Sequence, residues 1–173
     1  MASFTSRPAL LLLAPALASC SFSFSTGGPD YEKLEGAIAD ELNGTYSSIS
    51  REVSGVDCPK PAQTPKAGDT FMCGADVEGQ NVRVEVAVED DDYNVSFSTL
   101  DILFELAETE KSLSQDVSKE FGFDVTVTCG DGMKIVEIGQ SFECTATDPR
   151  GNARTVKLTA GEVNSQNKWE IID

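Results

Sequence analysis

Cys58-Pro59, a spacer of eight residues, then Gly68-Asp69-Thr70-Phe71-Met72-Cys73; farther along, Cys129-Gly130, again eight residues, then Gly139-Gln140-Ser141-Phe142-Glu143-Cys144. The cysteines are 15 positions apart in both stretches, the Gly-x-x-Phe-x-Cys ending recurs, and the matched positions are offset by 71 throughout. Such agreement reads as an internal duplication. It extends outward. After Cys73 a turn at Glu78-Gly79-Gln80-Asn81 leads into Val82-Arg83-Val84-Glu85-Val86-Ala87-Val88. After Cys144, Pro149-Arg150-Gly151-Asn152 leads into Val156-Lys157-Leu158-Thr159-Ala160, one inserted residue moving the offset to 72. Alternation of this kind predicts half-buried strands, and the Gly-Asn punctuation predicts hairpins. A last short strand is expected at Tyr93-Asn94-Val95-Ser96-Phe97 and at Trp169-Glu170-Ile171-Ile172. Phe71, Phe142, Tyr93, Phe97 and Trp169 are read as core residues.

Each copy opens with a helical pattern. Asp30 is suited to an N-cap and Glu32 to the first turn, with Tyr31, Leu34, Ile38 and Leu42 on one face. In the second copy Leu103, Leu106, Leu113, Val117 and Phe121 form the corresponding stripe, interrupted by Glu110 and stopped by Gly122. At offset 71, Leu42 and Tyr46 stand opposite Leu113 and Val117. Alternating strands follow at residues 53–58 and 123–129. The expected fold is α+β: two tandem small domains, residues 31–100 and 101–173, each one helix packed on a three- to four-stranded antiparallel sheet.

The N-terminus sets the compartment. One basic residue, Arg7, precedes the apolar run Ala9-Leu10-Leu11-Leu12-Leu13-Ala14-Pro15-Ala16-Leu17-Ala18, too short for a bilayer span of about 20 residues but suited to a secretory signal. The closing Leu17-Ala18-Ser19-Cys20 resembles the lipobox of bacterial lipoproteins. That resemblance implies cleavage before Cys20 and a diacylglycerol on its sulfur, with two or three acyl chains giving stable anchoring. Residues 1–19 then form the signal peptide, and residues 20–30 the lipidated cysteine and a Ser/Gly/Pro-rich flexible tether. The expected place is the outer face of the bacterial plasma membrane, in the cell envelope.

An exported chain meets oxidising conditions. Four cysteines remain beside Cys20, with three possible pairings. If the copies fold alike, only Cys58–Cys73 with Cys129–Cys144 keeps each domain self-contained. Zinc is not expected, because these spacings do not match the short ones of structural zinc sites and the chain has no histidine. Lack of histidine also excludes Ser-His-Asp and Cys-His catalysis. With 29 acids against 13 bases the net charge is −16, and no basic stripe offers itself to nucleic acid.

The unit Cys-Pro, spacer, Gly-x-x-Phe-x-Cys, Gly turn and alternating Val strand resembles the actinobacterial envelope domain known as domain of unknown function 4333. The second stretch has Gly130 where that family tends to have Pro. The resemblance implies export, and it carries no catalytic residues with it.

Within the acidic run Glu89-Asp90-Asp91-Asp92, the residues Asp90, Asp92, Asn94 and Asp101 fall at positions 1, 3, 5 and 12 of an EF-hand count. They are the candidate calcium ligands, although Val95 stands where the sharp turn wants Gly. The expected function is a non-enzymatic binding or scaffolding module of the envelope, without cofactor. Its partners would be the membrane, through lipid on Cys20, and an envelope protein or wall polymer. The alternative is a cell-wall glycan hydrolase, or its accessory, working through carboxylates.

Overall fold

The computed structural model describes residues 30–161 and 166–172, so the signal segment, Cys20 and the tether lie outside the described residues. Asp30 opens helix α1 (Tyr31–Tyr46): its side chain accepts from the Lys33 backbone N–H and pairs with the Lys33 ammonium at 3.1 Å. One orphan donor of the first turn is thereby satisfied. The 3.6-residue stripe Leu34, Ile38, Leu42 and Tyr46 is buried. Each of the three aliphatic side chains contributes about 2 kcal/mol by leaving water.

A 3₁₀ turn, Ser47–Ile49, leads on to β1 (Gly55–Asp57), β2 (Thr70–Val77), β3 (Gln80–Val88) and β4 (Val95–Thr99). These form one antiparallel sheet in the order β1-β2-β3-β4. Alternation sorts the faces. Cys73, Ala75 and Val77 on β2, with Val82, Val84, Val86 and Val88 on β3, are buried. The intervening Met72, Arg83 and Glu85 take the other face. This first compact unit closes at Asp101.

The second unit begins at Ile102. Strand β5 (Asp101–Glu105) runs into helix α2 (Leu106–Phe121), followed by β6 (Thr126–Thr128), β7 (Met133–Glu137), β8 (Ser141–Thr147), β9 (Ala153–Thr159) and β10 (Lys168–Ile172). Four strands make a sheet in the order β10-β9-β8-β6, and β5 pairs with β7. The core joins Leu113 and Val117 of α2 to Val127, Phe142, Val156 and Leu158, with Ile102 and Phe104 of β5. Phe104 and Phe142 meet edge to face with centroids 5.1 Å apart. The fold is thus α+β, two helices each on antiparallel sheet, with disulfides Cys58–Cys73 and Cys129–Cys144, one per half.

The glycine of the Gly-x-x-Phe-x-Cys ending has a backbone reason. Gly68 and Gly139 sit at φ +89° and +86°, a region L side chains avoid. There Gly68 N–H donates to Val88 O and Gly139 N–H to Ala160 O, closing the sheet end in each half.

Several expectations are corrected. The second helix does not include Leu103, since the run Ile102-Leu103-Phe104 is a buried strand and helix starts only at Leu106. Phe121, expected on the core stripe, is 43% exposed. The helix correspondence is offset by 75 and not 71: α1 and α2 run 31–46 and 106–121. Leu42 therefore stands opposite Val117, and Ile38 opposite Leu113. A four-residue slip turns a helix by about 400°, only about 40° from a full turn, so the apolar stripe fits both alignments. The difference falls in the connection, eight residues between α1 and β1 but four between α2 and β6. Tyr93 lies in the turn before β4 with φ +59°, and Phe71 is half-buried against Tyr31 at 5.9 Å.

Replacing Cys58 and Cys73 together by Ala is expected to destabilise the first unit by about 3 kcal/mol, the loop-closure value for 15 residues. Urea unfolding of the full chain measures it, and an unchanged midpoint would contradict it.

Candidate functional site

At each disulfide a helix carboxylate meets the cysteine backbone. Glu35 Oε1 accepts from Cys58 N–H at 2.9 Å, and Glu110 Oε1 accepts from Cys129 N–H at 2.5 Å and Gly130 N–H at 3.1 Å. The glutamate that interrupts the apolar stripe of α2 therefore has a structural task. With Cα–Cα distances of 4.3 Å in both bridges, helix, outer strand and central strand meet at one point in each half. All four described cysteines are in these bridges, which leaves no thiol among the described residues.

The four candidate calcium ligands are not brought together as a site. Asp90 Oδ1 accepts from the N–H groups of Asp92 and Asn94, and Oδ2 from the Asn94 amide at 2.6 Å. Asp101 is 5% exposed and held by Arg83, whose N–H, Nε and Nη2 all donate to it within 3.0 Å. The turn between β8 and β9 repeats the first arrangement: Asp148 accepts from Arg150 N–H, Asn152 N–H and the Asn152 amide. There Pro149 and Arg150 stand where the acids stood, so the Asp-x-x-x-Asn pattern is a turn device needing no cation. No group of three or more His, Cys, Asp or Glu placed for a metal occurs among the described residues. These bonds favour the charged carboxylate: Asp90 and Asp148 titrate below their ordinary value, chiefly through the Asn94 and Asn152 side-chain amides. Tyr46 moves the other way, to about 12, from burial and then the nearby Asp101 carboxylate.

Two surfaces of the second half went unread in the sequence. The first is the sheet face turned from the core. Register lines up Thr128, Thr145, Thr155 and Ile172 in one rank, and Glu143, Lys157 and Glu170 in the next. Ser141 and Thr159 share a hydrogen bond at 2.8 Å, and Lys157 Nζ reaches Glu170 Oε1 at 3.0 Å. Thr126, Thr128, Ser141, Glu143 and Thr145 are exposed. Opposed residues lie about 5 Å apart, so the face is a regular array of hydroxyls and paired charges able to donate and accept across a flat partner. Its signal was in the sequence: Thr126-Val127-Thr128 and Thr145-Ala146-Thr147 put threonine at every solvent-side position.

The second surface is a cleft of about 120 Å³ at the C-terminal end of α2, lined by Val117, Phe121, Phe123, Val125, Ala146 and Ile171, with Asp148, Asn152 and Arg154 at its polar side. Phe121 and Phe123 are 43% and 48% exposed with centroids 6.0 Å apart.

Residues 15–92 match the family described as Domain of unknown function (DUF4333), so the first half carries one such domain. No curated protein and no solved structure gives a significant match to the chain.

Glu110→Ala leaves the Cys129 and Gly130 donors unpaired and is expected to destabilise the second unit by about 2 kcal/mol in chemical denaturation. Asp148→Ala should show a pH signature. Folded Asp148 titrates below the unfolded value of about 3.9, so its contribution is complete above that value and lost as pH falls through its lower folded pKa. Thermal unfolding should find the variant less stable than the parent near about pH 7 and equal to it near about pH 2. A deficit that persists in acid would place the effect outside the carboxylate charge.

Proposed function

We propose that the chain is a membrane-anchored extracytoplasmic lipoprotein whose second half is another copy of the first-half domain, and that it acts as a non-enzymatic binding or scaffolding module of the cell envelope. The observation that carries the reading is the bare, hydroxyl-lined sheet face of the second half, which offers a regular polar surface without a clustered acid–base pair. Three further features support it. The Leu17-Ala18-Ser19-Cys20 segment and the tether supply an anchor. Both halves have cysteines 15 apart, tied to a helix glutamate. The pairs Cys73–Val84 and Cys144–Val156 sit in equivalent register.

An anchored acidic domain is repelled by anionic lipid headgroups and stays in solvent. A partner reaching it would be an envelope protein or a wall polymer, presenting hydroxyl, amide or carboxylate groups to the Thr and Lys-Glu ranks.

Cys20→Ser is expected to move the protein from the membrane fraction to the soluble fraction. A soluble form starting at Ser21, with photo-crosslinkers at Thr128 and Thr155, should capture one dominant envelope partner, identified by mass spectrometry. That capture should be lost with Thr145→Lys. Wall-glycan turnover that a single Asp or Glu substitution abolishes would overturn the non-enzymatic reading in favour of a carboxylate hydrolase.

A further inference from the structure

The cleft beside Phe121 has a counterpart in the first half, and the counterpart is closed. Register fixes the correspondence: Ala75 pairs with Val82 as Ala146 pairs with Arg154, and Tyr46 ends α1 as Phe121 ends α2. In the first half Leu42, Tyr46, Ala75 and Val82 are 2%, 4%, 0% and 0% exposed. Residues 47–53 run as a strap from the helix to the hairpin between β2 and β3. Arg51 N–H donates to Tyr46 O, Val53 N–H to Asn43 Oδ1, and Ser54 N–H to Asp76 O. Arg51 Nη1 then reaches both carboxylate oxygens of Glu78 in the hairpin turn, at 2.6 and 2.5 Å.

The second half has no room for such a strap. Its connection is four residues shorter and turns directly back onto the helix, with Val125 N–H donating to Ser118 Oγ and Ser118 Oγ to Val125 O. Phe121 and Phe123 stay exposed, and at the core-facing position of Val82 stands Arg154. The charge at the hairpin is also reversed. Gly79 corresponds to Gly151, so Arg150 occupies the place of Glu78.

We propose that this cleft binds an extended peptide from a partner protein. The peptide carries a branched aliphatic side chain and, two residues later, a carboxylate. It takes the course of the missing strap. The aliphatic group fills the space between Phe121, Val125 and Ile171, and the carboxylate meets Arg150 and Arg154. The chemistry follows from the strap: Ile49-Ser50-Arg51 facing Glu78 in one half becomes aliphatic-x-acid facing Arg150 in the other. Two arginines at the hairpin of a chain with net charge −16 mark a local reversal of its field, and an acidic segment is the complement. This inference rests on the binding-module reading and names one ligand class for it.

The test uses the full chain, labelled with ¹⁵N, and two synthetic peptides: the strap sequence of residues 47–53, and the same peptide with Glu at the Arg51 position. The acidic peptide is expected to shift the amides of Phe121, Phe123, Arg154 and Ile171 saturably, and to bind about fivefold tighter than the arginine peptide, the upper scale for one exposed ion pair. Arg150→Glu, on an exposed turn, should abolish or reverse that preference. Replacing the peptide's Ile by Ser should remove binding. Shifts outside the cleft, none at millimolar peptide, or equal affinity for both peptides would overturn the proposal. So would cleft shifts that grow with protein concentration alone, which would make a second copy the occupant. Capture at the hydroxyl face is read separately, so a silent cleft with capture intact removes this inference and leaves the binding-module reading standing.

Discussion

In each half the fold turns on one junction, where a cysteine at the end of the outer strand is joined both to the central strand and to the helix. The covalent arm is Cys58–Cys73 or Cys129–Cys144, and the polar arm is the Glu35 or Glu110 carboxylate on the cysteine N–H. A unit of about 70 residues has little core to spend on ordering its chain, and a cross-link of this kind supplies a large part of what is lacking. The junction also limits what can vary. The helix register relative to the cysteine is fixed by the glutamate, so insertions must fall between helix and strand. That is where the two halves differ.

The α+β fold, the hairpins and both disulfides were legible because their signals are local: alternating Val82 to Val88, the Gly-x-x-Phe-x-Cys ending, equal cysteine spacing. The helix alignment was not, because the four-residue slip nearly preserves the apolar face. Strand β5 was misread for a related reason. Leu103 falls three residues before Leu106, a helical spacing, while the consecutive burial of Ile102, Leu103 and Phe104 depends on long-range pairing with β7. The calcium count failed differently: the spacing of Asp90, Asp92 and Asn94 was real, but a turn uses the same oxygens on its own backbone.

The surfaces were the least legible part. The threonine ranks exist only once β6, β8 and β9 are in register, although each strand shows its Thr-x-Thr alternation alone. The cleft depends on what is missing from a connection, and only comparison with the first half reveals it. Arg154 at a core-facing position was the available clue, since alternation assigns that side to apolar residues, as Val82 shows.

Asp101 bears on how the chain survives in its surroundings. It is the last residue of the first unit, gripped by the backbone and guanidinium of Arg83, and Ile102, Leu103 and Phe104 after it are 5%, 1% and 1% exposed. Proteases act on exposed, extended chain, which is where linkers between domains are usually nicked. The stretch between the two units gives an endopeptidase no such foothold. Two units with separate cores would then be shed or retained together, and a cleavage releasing one of them would have to occur elsewhere in the chain.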